Sequence, residues 1–122
     1  MQLTEHRNEH QLFVRKASAD TVTVIDREFH SSFILTATEV AGDFAPRRPD
    51  ELDAAAIERI LGFEPEVVLL GTGARAVFPP QRVLAEFLRR RIGVEAMDNA
   101  AAARTFNVLV GEGRNAVAVF LL

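Results

Sequence analysis

Hydrophobic residues in the first third of the chain fall in short clusters that polar residues separate. The clusters lie at residues 12–14, 22–25 and 33–35 and are rich in β-branched and aromatic side chains. Short runs of this composition, bounded by polar breaks, are typical of antiparallel strands. The pattern therefore predicts an N-terminal antiparallel β-meander. Residues 1–10 are polar and have no hydrophobic period, so we interpret them as a frayed polar tail.

The next part of the chain changes to a helical period. After a linker at residues 42–49, apolar side chains recur every four positions at Leu52, Ala56 and Ile60. A recurrence of this spacing places the apolar side chains on one face of a helix. Asp50 directly precedes the pattern and is well placed as the N-cap, because an aspartate side chain accepts hydrogen bonds from the first turn.

A continuous apolar run at residues 67–70 predicts a strand buried on both faces, in a parallel part of a sheet. The same reasoning predicts a helix from Pro79-Pro80 to Gly93, a strand at residues 94–97, a helix that Asp98 caps and Gly111 ends, and a last strand within residues 115–122. The last strand is too apolar for an exposed edge, and its direction is left open. This order of elements predicts a single α/β domain over residues 11–122, with a central mixed sheet and helices packed on its faces.

Composition narrows the classes of function. The 122 residues carry a net charge of −3. This charge argues against a protein dedicated to binding nucleic acids, because such a protein needs a basic face to neutralise the phosphates. The absence of cysteine excludes disulfides, thiolate metal sites and a thiol nucleophile. No apolar run approaches the roughly 18 residues of a spanning helix, so we expect a cytoplasmic chain that does not cross a membrane. No metal is predicted, because His6 and His10 lack a third ligand nearby. No cofactor is predicted either.

One glycine motif is a candidate binding site. The segment Gly71-Thr72-Gly73-Ala74-Arg75-Ala76 fits G-x-G-x-x-[GA] directly after the buried strand. Such a turn binds a pyrophosphate when a helix begins within it and points its free N–H groups at the ligand. Here Pro79 and Pro80 delay the helix. Three interpretations stay open: a dinucleotide site, a relaxed turn that binds an anion or polar ligand with the help of Arg75, and a purely structural turn.

A second polar block lies near the C-terminus. Thr105 and Asn107 lie on the last predicted helix, and Glu112 and Arg114 flank the glycine turn that follows it. The block has the pattern of a capped helix end, and it is also compatible with one polar wall of a ligand or partner cleft.

A series of spaced residues also carries a family resemblance. They are Gly71-Thr72-Gly73, Pro79-Pro80, Gly93-Val94-Glu95, Met97-Asp98, Ala101-Ala102, Thr105-Phe106-Asn107, Leu109 and Glu112-Gly113-Arg114. With them, residues 28–122 resemble a small family of unknown function that bacteria, archaea and mitochondria share. Its eukaryotic members include a respiratory complex I (NADH:ubiquinone oxidoreductase) assembly factor and an adipogenesis-associated protein. Phe106 stands where the family leads us to expect tyrosine, which removes a hydroxyl from the candidate cleft.

The resemblance implies a compact α/β fold with a mixed sheet and implies no established catalytic residues. For the mitochondrial members it implies a non-enzymatic role, the assembly of complex I by binding other proteins. The first hypothesis is therefore a protein-binding module that resembles an assembly factor. The alternative is a binder of a small anionic or polar ligand, or an enzyme, that uses the Gly71-Thr72-Gly73 turn together with the Glu112-Gly113-Arg114 turn. The oligomeric state stays open.

Overall fold

The computed structural model describes residues 11–122, which form two β-sheets and three α-helices; the predicted tail at residues 1–10 lies outside them. In chain order the strands are β1 (Val14–Ala17), β2 (Val22–Val24), β3 (Arg27–Phe29), β4 (Phe33–Leu35), β5 (Val40–Ala41), β6 (Val67–Gly71), β7 (Gly93–Met97) and β8 (Ala116–Phe120). The helices are α1 (Ala54–Leu61), α2 (Gln81–Leu88) and α3 (Asn99–Gly111), and a 3₁₀ turn, Pro49–Glu51, precedes α1.

The two sheets have different strand directions. Strands β1, β2 and β3 form the predicted antiparallel meander. Its third strand is β3, however, and not the predicted cluster at residues 33–35, which forms β4 and pairs with β8 in the larger sheet. The larger sheet has the order β5-β4-β8-β6-β7, in which β6 runs parallel to both β7 and β8, while β4 runs antiparallel to β8 and β5. The predicted mixed sheet is therefore confirmed, and the last strand, β8, lies in its interior. Strand β8 is parallel to one neighbour and antiparallel to the other, which settles the direction that the sequence left open.

The larger sheet is covered on both faces, and the side chains of β8 show how. Successive side chains of a strand point to opposite faces of the sheet. One set packs with α3 and the meander: Ala116, Ala118 and Phe120. The other set packs with α1 and α2: Val117 and Val119 of β8, together with Leu121 directly after the strand. Because both sets are buried, β8 reads as a continuous apolar run, and the domain has three layers.

Stacked aromatic rings join the meander to the larger sheet. The ring centroid of Phe29 in β3 lies 4.1 Å from that of Phe33 in β4, and the Phe33 centroid lies 5.3 Å from that of Phe120 in β8. Such stacked pairs contribute about 0.5–1.5 kcal/mol each beyond their buried area. The last residue of this series, Phe120, pairs with Gly71 across the sheet, and its ring lies beside the end of β6, where the candidate glycine turn begins.

The ends of the helices differ in part from the prediction. Asp98 caps α3 as predicted, since its side chain accepts a hydrogen bond from the Ala101 N–H at 2.7 Å. The N-cap of α1 is Asp53 and not Asp50, because the Asp53 side chain accepts from the Ala56 N–H at 2.9 Å while Asp50 lies in the 3₁₀ turn. Helix α2 begins at Gln81 and ends at Leu88, before the predicted end at Gly93.

Candidate functional site

The turn that follows β6 is closed by one threonine. The Thr72 hydroxyl accepts a hydrogen bond from the Val77 N–H at 3.0 Å and donates to the carbonyl oxygen of Arg75 at 2.6 Å. The Thr72 N–H donates to the carbonyl oxygen of Met97, which continues the pairing of β6 with β7 by one residue. Residues 72–77 are therefore a folded turn whose backbone Thr72 holds in place.

A buried asparagine fixes the same turn from the other side. Asn99 is fully buried, and its Oδ1 accepts from the Gly73 N–H at 3.1 Å. Its Nδ2 donates to the carbonyl oxygens of Ser18 and Ala19, at 3.0 and 3.3 Å, in the turn between β1 and β2. The Asn99 N–H also donates to the Gly73 carbonyl oxygen at 2.9 Å. One side chain thus joins the meander, the glycine turn and the start of α3, a role that sequence reasoning missed.

The two glycines of the motif are required by the fold itself, one for lack of space and the other for its backbone conformation. A Cβ on Gly71 would lie 2.6 Å from Asn99 Oδ1 and 2.8 Å from Phe120 Cδ1, so only glycine leaves enough room. Gly73 has a φ of 95°, in a region that glycine alone adopts easily. Helix α2 begins only at Gln81, and Asn99 already occupies the Gly73 N–H. The features that a pyrophosphate-binding turn requires, a helix start within the turn and free N–H groups, are not combined here.

The outer side of this turn carries an exposed aromatic residue. Phe78 is 80% exposed and Val77 is 38% exposed, whereas the next residue, Pro79, is buried. Two consecutive prolines restrict the backbone after Phe78. The Thr72 hydroxyl restrains the backbone before it. Phe78 is therefore presented to solvent on a restrained loop.

The segment before α1 faces this loop and is fixed by an arginine. Arg82 in α2 donates to the carbonyl oxygens of Asp50 at 2.8 Å and Leu52 at 2.5 Å. The two segments enclose a groove of about 520 Å³, which we call the Phe78 groove. Its lining residues are Arg47, Arg48, Pro49, Asp50, Thr72, Ala74, Arg75, Val77, Phe78 and Pro80. Of the predicted site residues, Thr72 and Arg75 lie in this groove.

Three of the four residues in the predicted C-terminal block make side-chain contacts within the domain, whereas Glu112 is exposed. The Thr105 hydroxyl donates to the Ala101 carbonyl oxygen at 2.8 Å, within α3. The side-chain amide of Asn107 forms hydrogen bonds with both backbone groups of Val14: it accepts from the N–H and donates to the carbonyl oxygen, each at 2.9 Å.

The last residue of the block, Arg114, lies 3.4 Å from Glu66 in an exposed ion pair. The pKa of Glu66 lies below its usual value, first because the Asn115 N–H donates to the carboxylate and then because Arg114 is nearby.

The two predicted turns lie at opposite ends of the sheet. Helix α3 begins beside Gly73 and runs for 13 residues, about 20 Å at 1.5 Å per residue. Arg114 follows its end and pairs with Glu66, at the start of β6, whereas Gly71 ends that strand. The structure therefore brings together Gly71, Thr72, Gly73 and Arg75, and it separates them from Glu112 and Arg114. A single cleft that both turns line is not formed by residues 11–122.

The two hydrogen bonds between the Asn107 side chain and the Val14 backbone, which we call the Asn107 clamp, yield a first testable prediction. We expect Asn107→Ala to lower the free energy of unfolding by about 1–2 kcal/mol, because two hydrogen bonds to a partly buried backbone are lost. Hydrogen exchange at the Val14 amide should accelerate in the same variant. The neighbouring variant Val108→Ala is a control, since Val108 is 57% exposed and should change stability little. Equal losses of stability in the two variants would contradict a stabilising role for the Asn107 clamp.

Solved structures of related proteins have the same fold. A Xanthomonas campestris protein solved by NMR is 38% identical to this chain, with a TM-score of 0.85, and the match covers 99% of this chain and 92% of that one. A Bordetella pertussis protein described as a Mth938-like domain is 25% identical, with a TM-score of 0.79, over 99% of this chain and 92% of its own. Mth938-like domains are therefore structural neighbours of this chain.

Curated relatives give two further names. The "13 kDa major membrane protein" of Francisella tularensis is 28% identical over 96 residues, 77% of each chain. Within residues 11–122, however, no helix combines the length and the apolar character that crossing a membrane requires. The zebrafish (Danio rerio) protein "NADH dehydrogenase [ubiquinone] 1 alpha subcomplex assembly factor 3" is 45% identical over 56 residues, which are 46% of this chain and 32% of that protein.

A family model agrees with the resemblance noted from the sequence. It matches residues 14–121, nearly the whole of the part that the structure describes. The match includes both the meander and the mixed sheet, so it is not confined to one motif. The chain therefore belongs to the family described as "Protein of unknown function (DUF498/DUF598)".

Proposed function

We propose that this chain is a non-enzymatic protein-binding module that takes part in assembling a larger complex, and that its contact surface is the Phe78 groove. The observation that carries the proposal is the 80% exposure of Phe78 on a loop that hydrogen bonds and prolines restrain. We place the chain in the cytoplasm, with a subunit of a respiratory complex as the kind of partner.

The physical argument concerns the cost of leaving such a side chain in water. Burying a phenylalanine gains about 1.5–3 kcal/mol relative to exposure, and a restrained loop cannot fold it away. Scattered exposed apolar residues need no explanation, but here Phe78 and Val77 adjoin the arginines of the groove. Aromatic residues and arginine are enriched in protein interfaces and dominate their binding energy. This composition supports a partner protein as the occupant.

The relatives support the assembly part of the proposal. The zebrafish protein is named as an assembly factor of NADH dehydrogenase, although the matched segment is a third of its length. The Francisella protein is named as a membrane protein, which is compatible with a partner that lies in a membrane. A subunit of a membrane-bound complex would explain both names.

The alternative, a small anionic or polar ligand held by both turns, has less support from the geometry. The two turns lie at opposite ends of β6, and the Thr72 hydroxyl and the Gly73 N–H already have partners within the domain. A ligand confined to the Phe78 groove retains the side chains of Arg47 and Arg75 as its charged contacts. Such a ligand would leave the exposure of Phe78 unexplained.

The test removes the aromatic ring without disturbing the fold. We expect Phe78→Ser to reduce the amount of partner protein that copurifies from the native host after mild crosslinking by about tenfold or more, since a central aromatic contact contributes 2 kcal/mol or above. Quantitative mass spectrometry of the copurified chains measures the effect. The thermal midpoint of the variant should equal that of the parent, because Phe78 packs little within the domain.

A matched control lies elsewhere on the surface. Leu88 is 72% exposed at the end of α2 and does not line the Phe78 groove, so Leu88→Ser makes a similar chemical change at another place. This variant should retain the partner. Undiminished copurification with Phe78→Ser, or equal loss in both variants, would refute the groove as the contact surface.

A further inference from the structure

We propose that the segment bound in the Phe78 groove is an acidic stretch of polypeptide, whose carboxylates pair with Arg47 and Arg75 while an apolar side chain packs on Phe78. This inference rests on the proposed function and specifies the partner's chemistry. It begins from a contrast in charge. The chain as a whole has a net charge of −3, but the groove is lined by three arginines against one aspartate.

The three arginines differ in how far their charge is already neutralised. Arg48 lies 3.1 Å from Asp50 and 3.3 Å from Glu51, so it is paired within its own segment. For Arg47 and Arg75, both exposed, no ion pair is formed with any other residue in the range 11–122. The contact between the Glu51 side chain and Arg47 is to the Arg47 backbone N–H, at 2.7 Å. Two guanidinium groups therefore remain available to a partner.

Other surface arginines show what a structural role looks like in this domain. Arg59 donates to the carbonyl oxygens of Gly42 and Asp43, and Arg82 donates to those of Asp50 and Leu52. These side chains hold loops against helices. Arg47 and Arg75 have no comparable hydrogen bond from their guanidinium groups among the described residues, although both line the same groove. A guanidinium group pairs with a carboxylate through two parallel hydrogen bonds, which gives both strength and geometry.

The surroundings favour a carboxylate-bearing peptide over a polyanion. Asp50 lies in the groove, and Glu51 and Asp53 line the adjoining pocket. A nucleic acid or an anionic membrane needs several aligned cations without interspersed acids, because its charges repeat at short intervals. Two arginines beside an exposed phenylalanine instead fit a short segment that combines carboxylates with one apolar side chain.

The experiment identifies the bound segment and then tests its charge. The full chain, carrying the photo-crosslinker p-benzoylphenylalanine in place of Ala74, is expressed in its native host and irradiated. Ala74 is exposed and lines the groove. Mass spectrometry of the crosslinked peptide gives its sequence. A fluorescein-labelled synthetic copy of that peptide then measures the dissociation constant by anisotropy for the unsubstituted chain and for its variants.

Two double variants with the same change in charge form the comparison. Arg47→Glu combined with Arg75→Glu alters the groove, whereas Arg91→Glu combined with Arg104→Glu alters exposed arginines that do not line it. We expect an acidic crosslinked peptide and a loss of affinity of about 100-fold in the groove variant, roughly tenfold for each lost charged pair. The control variant should lose less than threefold. Replacing one glutamate of the peptide with lysine should partly restore binding to the groove variant.

The outcomes separate the two proposals. A neutral or basic crosslinked peptide, or equal losses in both double variants, overturns the acidic partner while protein binding at the groove stands. The absence of any crosslinked protein at position 74, together with undiminished copurification in Phe78→Ser, overturns both proposals. A crosslink to RNA or to lipid likewise overturns both.

Discussion

Replacing Gly71 with alanine is expected to lower the free energy of unfolding by about 3 kcal/mol. A Cβ at this position would lie 2.6 Å from Asn99 Oδ1 and 2.8 Å from Phe120 Cδ1, and both side chains are fully buried. Overpacking of this kind costs about 1–3 kcal/mol, and displacing the Asn99 hydrogen bonds adds about 1 kcal/mol or more. Because the chain has no tryptophan, equilibrium unfolding in urea is best followed by circular dichroism.

The control for Gly71 is another glycine in the same sheet. Gly93, in the neighbouring strand β7, would place a Cβ no closer than 3.9 Å to another residue, the Val67 side chain. Gly93→Ala should therefore change the free energy of unfolding by less than about 0.5 kcal/mol. If Gly71→Ala were as stable as Gly93→Ala, Phe120 and Asn99 would have to move without loss of packing. That result would contradict the close approach as the reason for glycine at position 71.

The elements that the sequence predicted well are those whose burial is complete. Strand β6 is parallel to both neighbours and covered on both faces, so it needs a continuous apolar run and reads as one. Strand β8 is also covered on both faces and also reads as a continuous apolar run, although it is antiparallel to β4. The start of α3 was also predictable, because Asp98 makes the local hydrogen bond that its position indicated. In these places local chemistry and tertiary packing agree.

The elements that were missed depend on tertiary contacts more than on local pattern. Strand β3 is Arg27–Phe29, with two exposed charged residues, so no hydrophobic run marks it. The turn before it places Ile25 at a φ of 56°, where turn sequences ordinarily have glycine or asparagine. The helical period that includes Leu52 predicts a cap at Asp50, but Leu52 is buried in an extended conformation before α1 begins.

Only one wall of the Phe78 groove could be predicted from the sequence. The glycine turn was visible from its motif, but a turn that binds a ligand and a purely structural turn have the same sequence signature. The opposite wall of the groove contains Arg47, which is more than twenty residues away and has no motif. Phe78 follows no hydrophobic period that would have distinguished it from a core residue. The juxtaposition of these groups arises from Arg82, whose hydrogen bonds to the chain at Asp50 span the two walls.

Replacing Asn99 with alanine is expected to lower the free energy of unfolding by about 3 kcal/mol as well. The substitution removes the acceptor of the Gly73 N–H and the donor to Ser18 O, which leaves both backbone groups without that partner. Asn99→Asp should be more damaging, because a carboxylate oxygen would face the carbonyl oxygens of Ser18 and Ala19. Urea unfolding measures stability, and hydrogen exchange at Gly73 measures the loosening of the turn.

The control for Asn99 is an asparagine with similar bonds in an exposed position. The Asn115 amide donates to the carbonyl oxygens of Glu64 at 2.6 Å and Phe63 at 3.3 Å, where water replaces the lost partner. Asn115→Ala should therefore cost only about 0.5–1 kcal/mol. Because Asn99 also holds the turn that carries Phe78, its loss should weaken partner binding at temperatures where the domain is still folded. Equal stability losses at Asn99 and Asn115 would mean that burial does not strengthen this junction, and the turn would then owe its shape to Thr72 and the prolines alone.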